Sequence, residues 1–413
     1  MAFGISKTRI SPIAIDFGGD TLKVMQVQVS AEGVQLVAAG SAVVPEKARV
    51  DPATRMSFVA EALRDLLKQQ PFKGRRAICG IPAFQTMVNT FELAGGEADD
   101  IDAQVNLHIQ TVLGKDPSRL VIRNLFIDKV IRDGTTRQRV LCIAAPRNAV
   151  MRYIELASQL KLEVVGMHSE TMCIARPFIE LYNRREEDLD TRMFVDIGSA
   201  ATKIVVLHEG HITFARTLRA AGDELTHTFA KENGLDFAEA RLARMRNGAE
   251  AFNPDEVYAK AAAGDAPANS SLADSTPLDS FDLDLDEDQS TPADTGLVAE
   301  RRQATVSFDP AERPELLSET LDELVEGMSL TLNYLKSACP DRPVTSIVLL
   351  GGESRQSSVS GVIARSTGLP TFVGDPLARV VRTPGVQPIG LDMKQPQPGW
   401  AVPLGLCLSE ANL

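Results

Sequence analysis

Three glycine-containing turns carry the residues that could do chemistry in this chain. At Asp16-Phe17-Gly18-Gly19 and at Asp196-Ile197-Gly198-Ser199 an apolar run ends in an aspartate followed closely by glycine. A turn without side chains lets backbone N–H groups approach a phosphate. Lys23, shortly after the first turn, can add a point charge to that phosphate. Two carboxylates facing each other across a cleft, Asp16 and Asp196, would hold a hydrated Mg²⁺, an ion that keeps several waters and uses few protein ligands. A third apolar run ends at Gly351-Gly352, a flat surface ahead of a helix that suits an adenine or a ribose. Each turn alone is more simply a structural turn. Three in order, two of them opening matching hairpins, form a joint signal.

The elements needed to position these turns follow from periodicity. A buried strand from Pro12 stops at Gly18-Gly19, Thr21 to Val29 alternates as a half-buried strand, and Gly33 to Val44 forms a third. Asp51-Pro52 opens a helix, with Asp51 as N-cap and Pro52 as the first helical residue. The same order returns at Met193 to Gly198, Thr202 to Leu207 and His211 to Leu218, followed by a helix from Asp223. An internal duplication is the inference.

Between the repeats, strands are predicted at Arg76 to Ile81, Met87 to Leu93, Leu120 to Ile131 and Gln138 to Ala144, around a helix from Ala98 to Leu113. Then come a helix Asn148 to Leu160, a strand Leu162 to Met167 and a helix Glu170 to Tyr182. A helical stripe from Pro314 to Leu335 leads to the strand before Gly351. A further helix, a short strand near Pro370 to Val373 and an apolar segment Gly399 to Leu408 close the pattern, with Trp400 expected as a domain anchor.

The 413 residues exceed what one hydrophobic core serves, so two or more domains are expected. The net charge of −12 is confined to one segment: Ala249 to Glu300 holds thirteen acids and one base, Lys260, leaving the remainder balanced. No basic stripe marks a nucleic-acid binder. From Ala249 to about Ser307, Ala, Asp, Ser and Pro dominate, and a solvated, disordered linker is expected. A short docking motif at Phe281-Leu283-Leu285 is the alternative there. No apolar run is long enough to span a membrane, and Met1 to Ile10 has no signal-peptide core, so the chain is read as cytoplasmic. The five scattered cysteines fit small buried hydrophobes in a reducing compartment.

The arrangement resembles the actin-like ATPase superfamily and, within it, the PilM family of type IV pilus assembly proteins, also known as competence protein A. The residues that carry the resemblance are Ile15 to Lys23, Phe194 to Lys203, Phe214-Ala-Arg216, Gly222 to Thr226, Ala238-Glu-Ala240, Val348 to Gly352 and Gly374-Asp-Pro376. It covers nearly the whole chain outside the acidic insert. It implies an α/β fold of actin-like (ribonuclease H-like) duplicated domains with a small inserted α+β subdomain. In that division lobe 1A takes 11–74, 163–190 and 384–413, subdomain 1C takes 75–162, lobe 2A takes 191–222 and 338–383, and subdomain 2B takes 223–337.

The resemblance further implies that Asp16 and Asp196 flank ATP with Mg²⁺ through water. Gly18, Gly19, Asp20 and Thr21, with Gly198, Ser199 and Ala200, would cradle phosphates, and Gly351, Gly352 and Ser354 would lie beside adenosine. Implied partners are the cytoplasmic N-terminal tail of PilN, a single-span inner-membrane protein, pilus motor components and further copies of the chain, at a location peripheral to the inner membrane.

Two departures qualify this. Asp20 stands where the family has a small hydroxyl or glycine, and would repel a phosphate unless Mg²⁺ or Lys23 offsets it. Glu170 is the candidate for positioning a water, and equally a helix-start acid favoured by the dipole. Binding is therefore expected ahead of turnover, with ATPase activity weak or absent. His208 and His211 straddle a turn without a third ligand. A sugar or acid kinase of the same superfamily would need a polyol-binding cluster, which is not seen. An FtsA-like division protein would need a basic amphipathic C-terminal helix, whereas this sequence ends Leu408-Ser-Glu-Ala-Asn-Leu413.

Overall fold

The computed structural model describes residues 8–94, 101–132, 134–182, 190–250 and 318–413. The docking motif at Phe281 to Leu285, most of the acidic segment, and the start of the Pro314 stripe lie outside the described residues.

Two sheets repeat one plan. In the first, Gly33–Val43, Thr21–Ser30 and Ile13–Asp16 are antiparallel neighbours, and Arg76–Ile81 and Glu163–Ser169 continue parallel to Ile13–Asp16. In the second, His211–Leu218, Thr202–His208 and Thr191–Ile197 are antiparallel, and Val344–Leu350 and Thr371–Val373 continue in parallel. The spatial order is the same: third, second, first, fourth and fifth strand of each unit. The first sheet adds Arg9–Ile10 on Thr21–Ser30 and Val380–Arg382 on Gly33–Val43.

The duplication extends to register. Asp16 is paired with Lys23, and Asp196 with Lys203. Residues directly opposite on antiparallel strands project from the same face, so each hairpin presents an acid and a lysine together.

The helix Pro52–Gln69 packs Val59, Leu63 and Leu66 into the core of the first sheet. Its start is the capped Asp51-Pro52 signal: the Asp51 carboxylate accepts from the Thr54 N–H at 2.7 Å. The inserted part forms a separate antiparallel sheet in the order Met87–Ala94, Thr135–Pro146, Leu120–Arg132. Helix Ile101–Thr111 covers it through Val105 and Ile109 against Val140 and Cys142.

Short helices fill the space between the two main sheets, and one departs from expectation. The run from Glu170 to Tyr182 is not continuous: Glu170–Cys173 stops, and Arg176–Tyr182 restarts. Pro177 has no N–H to give to the Cys173 carbonyl four residues earlier, and its ring crowds that carbonyl. The closing apolar segment forms Ala401–Cys407, a helix buried along its length. Gly405 faces Cys173 so closely that a Cβ would overlap the freed carbonyl. Trp400, 3% exposed, lies in this shared core with residues of both sheets, among them Met25, Ile78, Phe194 and Leu350. The five cysteines are all buried and unpaired.

Candidate functional site

Both glycine turns and the third, at Gly351, open onto one cleft with a cavity volume of about 170 Å³. It is lined by Asp16, Gly18, Gly19, Asp20, Thr21 and Lys23 from the first hairpin and by Asp196, Gly198, Ser199 and Ala200 from the second. Glu170, Gly351 and Gly352 complete the sequence-predicted set in the lining. Ser354 is the exception. It is fully buried beneath the turn, donating its hydroxyl to the Gly351 carbonyl at 2.8 Å, so it shapes the turn rather than facing the cleft.

The turns are pressed together. A Cβ on Gly19 would lie 2.6 Å from Ser199 Oγ and 2.9 Å from the Ala200 Cβ. Gly351 adopts φ +83°, and a side chain there would run into the Ile197 carbonyl, so the position requires glycine on both counts. The first turn is held by Arg55, whose guanidinium donates to the carbonyls of Phe17 (3.1 Å), Gly18 (2.8 Å) and Gly19 (2.9 Å). The second is held by backbone: the Gly222 and Asp223 N–H groups donate to the Gly198 and Ser199 carbonyls at 2.9 and 2.7 Å.

At the floor lies a cluster of three carboxyl groups and two lysines. Lys23 Nζ is 3.7 Å from Asp16 Oδ2. Lys203 Nζ is 2.9 Å from Asp196 Oδ1 and 3.4 Å from Glu170 Oε2, and that same Glu170 oxygen accepts from the Ala83 N–H at 3.2 Å. Asp16 Oδ1, Glu170 Oε1 and Ser199 Oγ are buried with no hydrogen-bond partner.

Burial dominates the ionisation. It raises the pKa of Asp16 despite the opposing charges of Lys23 and Lys203. It lifts Glu170 to about 7, with Asp16 and Asp196 adding to the shift and Lys203 and the Ala83 amide opposing it. For Lys203 burial works against the charge, but Asp196 and Glu170 more than offset it and push the pKa upward. Glu170 opens a helical turn, and it faces the cleft as a carboxyl group that holds a proton near neutrality.

The expected offset of Asp20 requires correction. Lys23 pairs with Asp16 instead, and Asp20 is neutralised by two guanidiniums, Arg49 and Arg241. Arg49 also reaches Asp223 Oδ1 at 3.2 Å. At the third turn, Arg244 donates to Glu353 Oε2 at 2.6 Å and to the Gly222 carbonyl at 2.9 Å, tying that turn to the helix Gly222–Asn233. Away from the cleft, His208 Nδ1 lies 2.9 Å from Thr191 Oγ1. Among the described residues no three His, Cys, Asp or Glu side chains converge as a metal site.

Sequence reasoning missed Lys203, Arg55, Arg49, Arg241 and Asp223. Lys203 had a signal, since it follows Asp196 at the spacing by which Lys23 follows Asp16. The arginines had none, because they come from helices remote in sequence.

Two sheets of one strand order, facing each other across a cleft lined by matched hairpin turns, define an actin-like protein. Residues 14–254 match the family model of the type IV pilus assembly protein PilM, and the chain belongs to that family. Among solved structures it is similar to the PilM-PilN type IV pilus biogenesis complex, with 18% identity, a TM-score of 0.67, and coverage of 96% of this chain and 98% of that one. It is more distantly similar to the ethanolamine utilization protein EutJ from Carboxydothermus hydrogenoformans, with 15% identity, a TM-score of 0.45, and coverage of 98% of this chain and 91% of that one. No helix among the described residues is long and apolar enough to cross a membrane.

Proposed function

We propose that the cleft binds ATP with Mg²⁺, and that the chain in this state holds the cytoplasmic tail of a PilN-like inner-membrane protein during pilus assembly. The observation that carries the nucleotide reading is the convergence of two equivalent acid–lysine hairpins on one cleft, with Asp16 Oδ1 buried at its floor. That oxygen and Glu170 Oε1 are acceptors suited to the waters of a hydrated cation, which needs few direct protein ligands. The residues present therefore fit Mg²⁺ held through water by Asp16 and Asp196. When bound, the ion would neutralise charge on the phosphates.

The chain's own groups do the rest of the work. Backbone N–H groups of 18–21 and 198–200 meet the phosphates, and Lys23, about a fifth exposed, supplies a positive charge from the side. Gly351 and Gly352 leave room for the adenosine. Glu170, tied to Lys203 and the Ala83 amide, orients water without being a free base, so turnover is slow or absent. In this reading the two sheets are the centres of lobes 1A and 2A, and the three-stranded sheet is subdomain 1C. The tail of the partner is proposed on family membership, supported by the likeness to a PilM-PilN complex.

Thermal melting with ATP tests the nucleotide reading. A rise in Tm that requires Mg²⁺ and vanishes in Asp16→Ala and Asp196→Ala is expected; an equal rise in either variant overturns their role. A synthetic N-terminal peptide of the PilN-like partner is expected to bind the same protein in calorimetry.

A further inference from the structure

The Asp20 carboxylate sits on the turn where a phosphate would arrive, inside a fork of two guanidiniums. Arg49 is built into place. It donates to the Val44 carbonyl at 3.2 Å and to Asp223 Oδ1 at 3.2 Å, and its guanidinium lies over the Phe237 ring, 5.9 Å from the centroid. Arg241 enters from the helix Phe237–Glu250 on the other side of the cleft and closes on Asp20. A planar guanidinium fork matches a carboxylate and a phosphate by the same geometry.

Nothing in the turn itself requires an acid at residue 20. The backbone of residues 17–19 is held by Arg55, Val44 N–H donates to the Asp20 carbonyl, and the Thr21 hydroxyl, which donates to Asp20 Oδ2 at 3.3 Å, would find an equivalent acceptor in an amide. Burial lowers the pKa of both guanidiniums, and at Arg49 the neighbouring charge of Arg241 adds to this. The two guanidiniums thus lie close enough for their charges to oppose each other at one carboxylate.

We infer that Asp20 is an internal surrogate for a phosphate group, occupying the Arg49–Arg241 fork until a polyphosphate ligand displaces it. The inference rests on the nucleotide reading only for the identity of that ligand; the fork itself selects for clustered negative charge. Arg49, with three other contacts, stays in place, while the Asp20 carboxylate swings out and Arg241 transfers to the incoming anion. The contact therefore acts as a brake. It lowers affinity by one common factor for every ligand that must displace the carboxylate, and leaves a ligand without phosphate untouched. It also bridges the first hairpin to a helix of the second unit, so displacement changes how the mouth of the cleft is tied.

Calorimetric titration with Mg²⁺-tripolyphosphate, ATP, ADP and adenosine decides it. Asp20→Asn keeps the shape and removes the charge. It is expected to bind tripolyphosphate and ATP at least tenfold more tightly than wild type, with adenosine unchanged; equal or weaker tripolyphosphate binding overturns the inference. Adding Arg241→Gln to that variant must cancel the gain, and a gain that persists places the effect elsewhere and overturns it too. Arg241→Gln alone is the check should Asp20→Asn prove unstable. It must weaken tripolyphosphate without touching adenosine, and unchanged tripolyphosphate binding again overturns the inference. If Asp20→Asn captures tripolyphosphate while no form of the protein binds ATP or adenosine, the arginine fork stands and the nucleotide reading is the part that fails.

Discussion

The two acid–lysine hairpins share spacing, register and position in their sheets, yet their lysines are used differently. Lys23 lies 3.7 Å from its aspartate with about a fifth of its side chain exposed. Lys203 lies 2.9 Å from its own, is nearly buried, and reaches Glu170 as well. The first is a charge available to a ligand, and the second is the counterion of a buried acidic pair. The turns differ in the same sense: Arg55 clamps the first through a side chain, whereas backbone amides of Gly222 and Asp223 hold the second. A duplicated motif thus keeps its geometry while its surroundings divide the labour, one copy leaving its cation partly open to the cleft and the other locking its cation into the buried cluster.

Removing Lys203 attacks the supporting copy directly. Lys203→Met leaves Asp196 and Glu170 buried without their cation, and a loss of about 3–5 kcal/mol is expected on chemical denaturation. A loss below about 1 kcal/mol would put the two lysines on an equal footing and break the contrast.

The next effect is a pH dependence. The folded pKa of Glu170, about 7, lies above its ordinary 4.5. The folded state therefore binds the proton more tightly than the unfolded one. Stability from this group is fully present below pH 4.5 and is lost as pH rises through about 7, on the order of 3 kcal/mol in all. Glu170→Gln holds no such proton, so wild type should lose ground to the variant between pH 4.5 and 7.5 when their melting curves are compared.

Arg55→Leu removes three charge-assisted hydrogen bonds from the first turn and is expected to cost about 2 kcal/mol. It should weaken ATP more than adenosine if the clamp shapes the phosphate end of the cleft. Lys23→Met is the smallest in stability, within about 1 kcal/mol for a partly exposed pair, but should reduce ATP affinity at least tenfold in calorimetry. A Lys23 variant that melts like Lys203→Met and binds ATP normally would reverse the assignment.

What could be read in advance was local. Strands ending in Asp and Gly, the Asp51-Pro52 helix start and the repeated hairpin order are all set within a few residues, and the structure has them. Pro177 was also readable, as a helix-breaking residue inside a predicted helix, and so was Lys203 through the repeated spacing. Ser354 was misplaced because its neighbours in sequence line the cleft, while its own hydroxyl is consumed by the carbonyl three residues back. The partners of Asp20 lay beyond reach for another reason. Arg49 and Arg241 belong to helices separated by most of the first half of the chain, and only the packing of the second unit on the first brings both to one carboxylate.

The meeting of Gly405 with the Cys173 carbonyl has a mechanical side. Main chain rests on main chain there, so no rotamer change can take up a shift between the two helices. Sliding is blocked, so the two helices move as one block, and a side chain at 405 would have to force them apart.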